Sequence, residues 1–99
     1  MIWFLAEKKT IREGRVGVLA CSPGKVLNIT FAKYEGRSSL CSRHEVTSIV
    51  QRQCQKKRTC TVYAEDEYYE DSCFIANEVL TIRYYCIGIL FILCYLNIQ

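Results

Sequence analysis

At 99 residues the chain has room for one domain and no more. Its composition, 51% hydrophobic and 23% charged, excludes a disordered chain. The net charge of +3 is too mild to argue for nucleic-acid binding, which usually leaves a stronger basic footprint.

Taken in chain order, Met1 to Ala6 is apolar but shorter than the core of a secretory leader, and no basic stretch precedes it. A secreted protein would therefore need a start further upstream, or this chain would be a fragment. "GRVGVLAC" ends a candidate strand at Cys21. "CSPGK" (Cys21 to Lys25) reads as a turn, with Pro23 setting φ and Gly24 supplying freedom. "KVLNITFAKY" then alternates as a half-buried strand does. Val26, Asn28, Thr30 and Ala32 fall on one side, and Leu27, Ile29 and Phe31 on the other. "YEGRSS" breaks the pattern as a loop.

In "SRHEVTSIVQRQC", Val46, Ile49, Val50 and Cys54 recur at helical spacing, with Arg43, Glu45, Gln51 and Arg52 elsewhere on the wheel. The spacing predicts a short amphipathic helix of about ten residues, closed by Cys54. "CTVYA" is a short strand, and "EDEYYEDSC" an acidic, aromatic loop. "EVLTIRYYC" alternates again, with Leu80, Ile82, Tyr84 and Cys86 on the inward face. Two strands that each end inward on a cysteine are well placed to be cross-linked. The last stretch, "IGILFILCYLNI", covers twelve residues from Ile87 to Ile98, where a bilayer span takes about 20. It is either an apolar extension that packs on something or a membrane helix cut short by the chain end.

Seven cysteines make up about 7% of the chain, near the range of disulfide scaffolds. An odd number leaves at least one sulfur outside any set of internal pairs. Structural zinc wants cysteines two to four residues apart, or such a pair with close histidines. Here the gaps are 19, 12, 5, 12, 12 and 7 residues, and His44 is the single histidine. A cysteine nucleophile served by His44, with Glu45 beside it, is outweighed by the ordinary surface histidine. A redox dithiol would place two residues between its sulfurs. What remains is a structural disulfide framework in which Cys54–Cys60 is a local staple around a polar turn. A long-range bridge in such a framework stabilises by roughly 3–4 kcal/mol, and it requires an oxidising compartment.

With the cysteines placed, the sequence resembles the SUEL-type lectin domain, the galactoside- and rhamnose-binding module also found in latrophilins. The segments that carry the likeness are "EGRVGVLACSPGKVLNITFAKYEGR", "VQRQCQKKRTCTV", "YYEDSC" and "LTIRYYC", from Glu13 to Cys86. On this resemblance residues 1–11 are an N-terminal extension, 12–86 the lectin domain and 87–99 an apolar tail. The resemblance implies the pairs Cys21–Cys86, Cys41–Cys73 and Cys54–Cys60. It leaves Cys94 as the odd thiol. The family's fourth bridge has neither half here, since Arg12 stands at the place of its first cysteine.

The family holds sugar hydroxyls without metal, using carboxylates, a lysine and a packed tyrosine. Ionised carboxylates suit this work because they accept hydroxyl hydrogens in charge-assisted bonds. The matching residues are Glu13 of "EG", Tyr34 and Arg37 of "YEGR", and Asp71 of "EDSC". Three positions depart from the pattern. Glu35 is inserted after Tyr34, Ser72 replaces a proline, and Glu78 stands where the sugar-binding lysine is expected.

"NIT" at Asn28 is an N-glycosylation sequon lying in a predicted strand. "QRQCQKKRTC" is basic enough to meet phosphate or sulfated glycans, although such a run more often only faces water. "YAEDEYYED" lacks the ligand spacing of a calcium loop. The sequence thus predicts a disulfide-stapled α/β (α+β) domain: a small antiparallel sheet, one or two short helices and long loops. Its expected role is extracellular, metal-independent carbohydrate binding, with no catalysis and no cofactor. The alternative is a protein-interaction or adhesion module on the same scaffold, docking a cell-surface protein.

Overall fold

The computed structural model describes residues 5–36, 44–65 and 78–89. Its strands are β1 (Glu7–Arg12), β2 (Val16–Ala20), β3 (Lys25–Glu35), β4 (His44–Glu45), β5 (Thr59–Tyr63) and β6 (Val79–Gly88), with one helix, α1 (Thr47–Cys54). A four-stranded antiparallel sheet runs in the order β1-β6-β3-β4, and β2 pairs with β5 as a separate antiparallel ribbon. This is the small α+β architecture the sequence predicts. Its core is one cluster drawn from both sheets and the helix, with Leu19, Leu27, Ile29, Ala32, Tyr34, Val50, Val62, Leu80 and Ile82 all buried.

The turn after β2 forms as expected: Lys25 N–H donates to Ser22 O at 3.1 Å, and Gly24 sits at φ +86°. At that positive φ a side chain would be strained, so glycine suits the position. Strand β3 differs from the uninterrupted alternation predicted for it. Its register against β6 steps from Ile29↔Tyr84 to Phe31↔Arg83, leaving Thr30 as the extra residue of a bulge. An extra residue reverses the inside–outside order beyond it. Leu27 and Ile29 point to the core before the bulge. After it Ala32 and Tyr34 do, and Phe31 is only half-buried. Thr30 Oγ1 donates to Arg83 O at 3.0 Å, which ties the bulge to the neighbouring strand.

Beyond β4, the side of β3 away from β6 has no strand partner among the described residues. An unpaired strand edge presents bare N–H and C=O groups that must be satisfied. Helix α1 and the loop after it do this. Thr47 Oγ1 accepts from Ala32 N–H at 3.0 Å, Gln51 Nε2 donates to Ile29 O at 2.9 Å, and Gln55 Oε1 accepts from Ile29 N–H at 2.7 Å. Lys56 N–H donates to Leu27 O and Leu27 N–H to Lys57 O. The helix is shorter than predicted at its start, because Val46 N–H bonds Ala32 O and His44–Glu45 pair with β3 instead of coiling. Val50 and Cys54 are its buried residues, and Ile49 packs against the core.

Two bridges stand among the described residues: Cys21–Cys86, 65 positions apart, and Cys54–Cys60, six apart. Strand β1 lies, but for Arg12, within residues 1–11, the stretch read as an N-terminal extension. It pairs with β6 from Glu7↔Tyr84 to Arg12↔Val79 and buries Ile11. Gly17 on β2 makes room for that side chain, since a Cβ there would lie 2.5 Å from Ile11 Cδ1 and 2.7 Å from Cγ1. The expected Cys41–Cys73 bridge, Cys94, the acidic loop up to Cys73 and the tail beyond Ile89 lie outside the described residues.

Candidate functional site

The turn between β1 and β2 carries Glu13. Arg15 N–H donates to Arg12 O at 2.9 Å, so Arg12 to Arg15 close a β-turn with Glu13 and Gly14 at its centre. Gly14 has φ +80°, the conformation glycine takes without steric cost. Two further bonds fix the turn in place. Glu13 N–H donates to Glu78 O, and Gly14 N–H to Ala64 O, each at 2.8 Å. The "EG" pair is therefore a carboxylate next to the one residue type that lets the chain turn there. The turn is anchored both to the start of β6 and to the end of β5.

Tyr34 reaches the same place from β3. The bulge at Thr30 sets its phase, and its register partner is Leu80, two residues beyond Glu78. The ring is fully buried, and its hydroxyl donates to Glu13 Oε1 at 3.3 Å. Glu13 itself is only half-buried. Glu78 is fully buried, the one charged residue in the core among those described. Glu13, Tyr34 and Glu78 are thus brought together, while Arg37 and Asp71 lie outside the described residues. The geometry suits hydrogen-bond acceptance from a hydroxylated ligand. Glu13 is a carboxyl side chain held at a turn by three main-chain bonds around it and by a buried phenol behind it.

Other features lie elsewhere. A shallow groove of about 700 Å³ is lined by Thr30, Phe31, Lys33, Arg83 and Tyr85 among others, and none of Glu13, Tyr34 and Glu78 borders it. Lys33 there pairs with Glu35 at 2.7 Å. Asn28, the sequon residue, is half-buried and accepts from Gln55 Nε2 at 2.6 Å. Tyr84 is pushed up to about 12, first by burial and then by the hydrogen bond and negative charge of Glu7. Among the described residues no three His, Cys, Asp or Glu side chains form a group that could hold a metal ion. No helix among them is long and apolar enough to cross a membrane.

The sequence reading found Glu13 through the resemblance alone. It missed Ala64 and the main chain of Glu78 as the anchors of the turn, since backbone acceptors leave no mark in side-chain pattern. Residues 19–86 match the model of the family described as the D-galactoside/L-rhamnose binding SUEL lectin domain. No curated protein matches the chain.

Proposed function

The chain belongs to the SUEL lectin family, a non-catalytic carbohydrate-binding module, and on that premise we propose that it binds a galactoside or rhamnoside outside the cell without metal. Glu13 is the acceptor for sugar hydroxyls. Tyr34 is a positioning residue that acts through Glu13, because its ring is buried and its hydroxyl is directed at that carboxylate. Asp71 supplies a second carboxylate, as the family pattern implies for its position, and Arg37 of the matching "YEGR" belongs to the same site. The observation that carries this reading is the 3.3 Å contact from Tyr34 to Glu13, which orients the carboxylate at the surface turn. The disulfides support the extracellular placement, since such bonds persist in oxidising compartments.

Calorimetry of the oxidised protein with L-rhamnose and D-galactose, in the presence of a chelator, tests the proposal. Saturable heat that survives chelation is expected. A folded, oxidised protein that gives no heat at millimolar sugar would sink it.

That second outcome favours a protein-interaction or adhesion module on the same scaffold. Glu78 is the observation on its side. It puts a carboxyl side chain where the family's sugar-binding lysine is expected, and it is fully buried.

A further inference from the structure

The loop from Gln55 to Thr59 is held more firmly than a solvated charge run needs to be. The Cys54–Cys60 bond closes it. Lys56 and Lys57 exchange main-chain hydrogen bonds with Leu27, and Arg58 O accepts from Cys21 N–H at 2.9 Å. The side chain of Gln55 spans Ile29 N–H and Asn28 Oδ1. On this frame Lys56, Lys57 and Arg58 are all exposed, with Arg52 exposed on the preceding helical turn and Lys25 exposed at the adjoining end of β3. Among the described residues none of these five cations forms an ion pair. Lys56 also holds φ 67°, where glycine or asparagine would be at ease and a lysine is strained.

We propose that this stapled loop is a binding surface for sulfated polysaccharide, distinct from the site at Glu13. Sulfate esters are fixed anions. Arg58 can grip one through two N–H donors, and the lysines supply point charges. Because the backbone is fixed before binding, little conformational entropy is lost on association. Nucleic acid fits less well, since residues 51–61 contain no aromatic ring on which a base could stack. Disulfides also place the domain where sulfated glycans are found and nucleic acids are scarce.

The test measures retention on immobilised heparin and on the same polymer after desulfation. The native chain should be held to higher salt by heparin than by the desulfated polymer. The triple variant K56Q/K57Q/R58Q should lose about tenfold in affinity and a large part of the salt dependence. A control triple, K8Q/K9Q/R83Q, also removes three positive charges, taking the net charge from +3 to zero, and should stay retained. Lys56→Gly should weaken heparin binding while leaving the melting temperature unchanged or higher, because it relieves the positive φ. Equal losses in the two triples would mean only net charge is read, and equal retention on both polymers would mean sulfate is not. Either result overturns the proposal. The sugar site is scored separately, since neither triple touches Glu13 or Tyr34.

Discussion

Tyr34 and Glu13 meet across 21 positions of sequence, the buried phenol donating to the carboxylate of half-buried Glu13 at 3.3 Å. A phenol with no exposure gains nothing from water, so its hydroxyl needs a protein partner. The same bond limits the orientations of the Glu13 carboxylate. On the proposed function, core packing and ligand reception meet at this one contact.

Tyr34→Phe should therefore act on both. It keeps the ring and removes the donor, so unfolding free energy should fall by about 1 kcal/mol. Sugar affinity should drop several-fold, while Glu13→Gln should remove binding with little change in stability. Urea melts paired with calorimetry read the two effects apart. If Tyr34→Phe alters stability but leaves affinity at the native value, Tyr34 is a core residue only.

Gly17 and Ile11 predict a coupled pair. Gly17→Ala places a methyl only 2.5 Å from Ile11 Cδ1, too close unless something shifts. The overpacking should cost about 1–3 kcal/mol. Ile11→Val shortens that side chain and costs about 0.5–1.5 kcal/mol alone. Combined, the two should be less harmful than their sum, and a double-mutant cycle by chemical denaturation measures the coupling. Additive costs would mean that Ile11 is not what the new methyl meets.

Much of this fold is legible in the sequence, and the failures have physical causes. The alternation of Leu80, Ile82 and Tyr84 gives β6 its buried face, and the Pro23–Gly24 turn forms where those residue types require it. Phe31 misleads because period-two reading assumes an unbroken register, and the bulge at Thr30 is set by pairing with a strand 53 positions away. β1 escapes notice because "EKKTIR" is a sheet edge that is exposed at most positions and buries only Ile11. At the candidate site the resemblance identifies the residues. The bond that joins Glu13 to Tyr34 is a product of the bulge and the turn together, and neither is visible locally.

The two bridges should differ in worth. Chain-entropy arguments give about 4 kcal/mol for a loop the size of Cys21–Cys86 and about 2 kcal/mol for Cys54–Cys60. Replacing Cys21 and Cys86 together by alanine should bring the domain close to unfolding, given a net stability of roughly 5–10 kcal/mol for small domains. The corresponding Cys54/Cys60 variant should remain folded. Thermal melts of both variants decide the order, and a Cys54/Cys60 variant that melts lower would reverse it.

Tyr84 sets an alkaline limit. Its pKa is raised from 10.0 to about 12 in the folded state, with burial the main cause and Glu7 adding to it. An acid whose folded pKa exceeds its unfolded one binds more protons when folded over that interval. Its contribution is full below pH 10 and is lost as pH rises toward about 12. Tyrosinate absorbance should show a late-titrating component that loses one ring in Tyr84→Phe, and stability should fall less steeply above pH 10 in that variant. A titration in which Tyr84→Phe removes an ordinary tyrosine step would contradict the assignment.

Gln55 tests whether side chains can stand in for a strand. Its Oε1 accepts from Ile29 N–H and its Nε2 donates to Asn28 Oδ1, so one amide covers two groups on the open edge of β3. Gln55→Ala leaves that N–H without its acceptor. The position is half-buried, so water can partly replace the lost group, and the cost should sit at the low end of about 1–3 kcal/mol. Gln55→Glu keeps an acceptor for Ile29. It sets a second acceptor against Asn28 Oδ1, a conflict that a flip of the Asn28 amide removes. Gln55→Glu should thus be milder than Gln55→Ala, with faster amide exchange at Ile29 seen mainly in the alanine variant. Exchange at Ile29 that stays at the native rate in Gln55→Ala would mean the edge is protected by Gln51 and the Lys56–Lys57 backbone without Gln55. The open side of β3 would then be shielded by burial under the helix rather than by replacement hydrogen bonds.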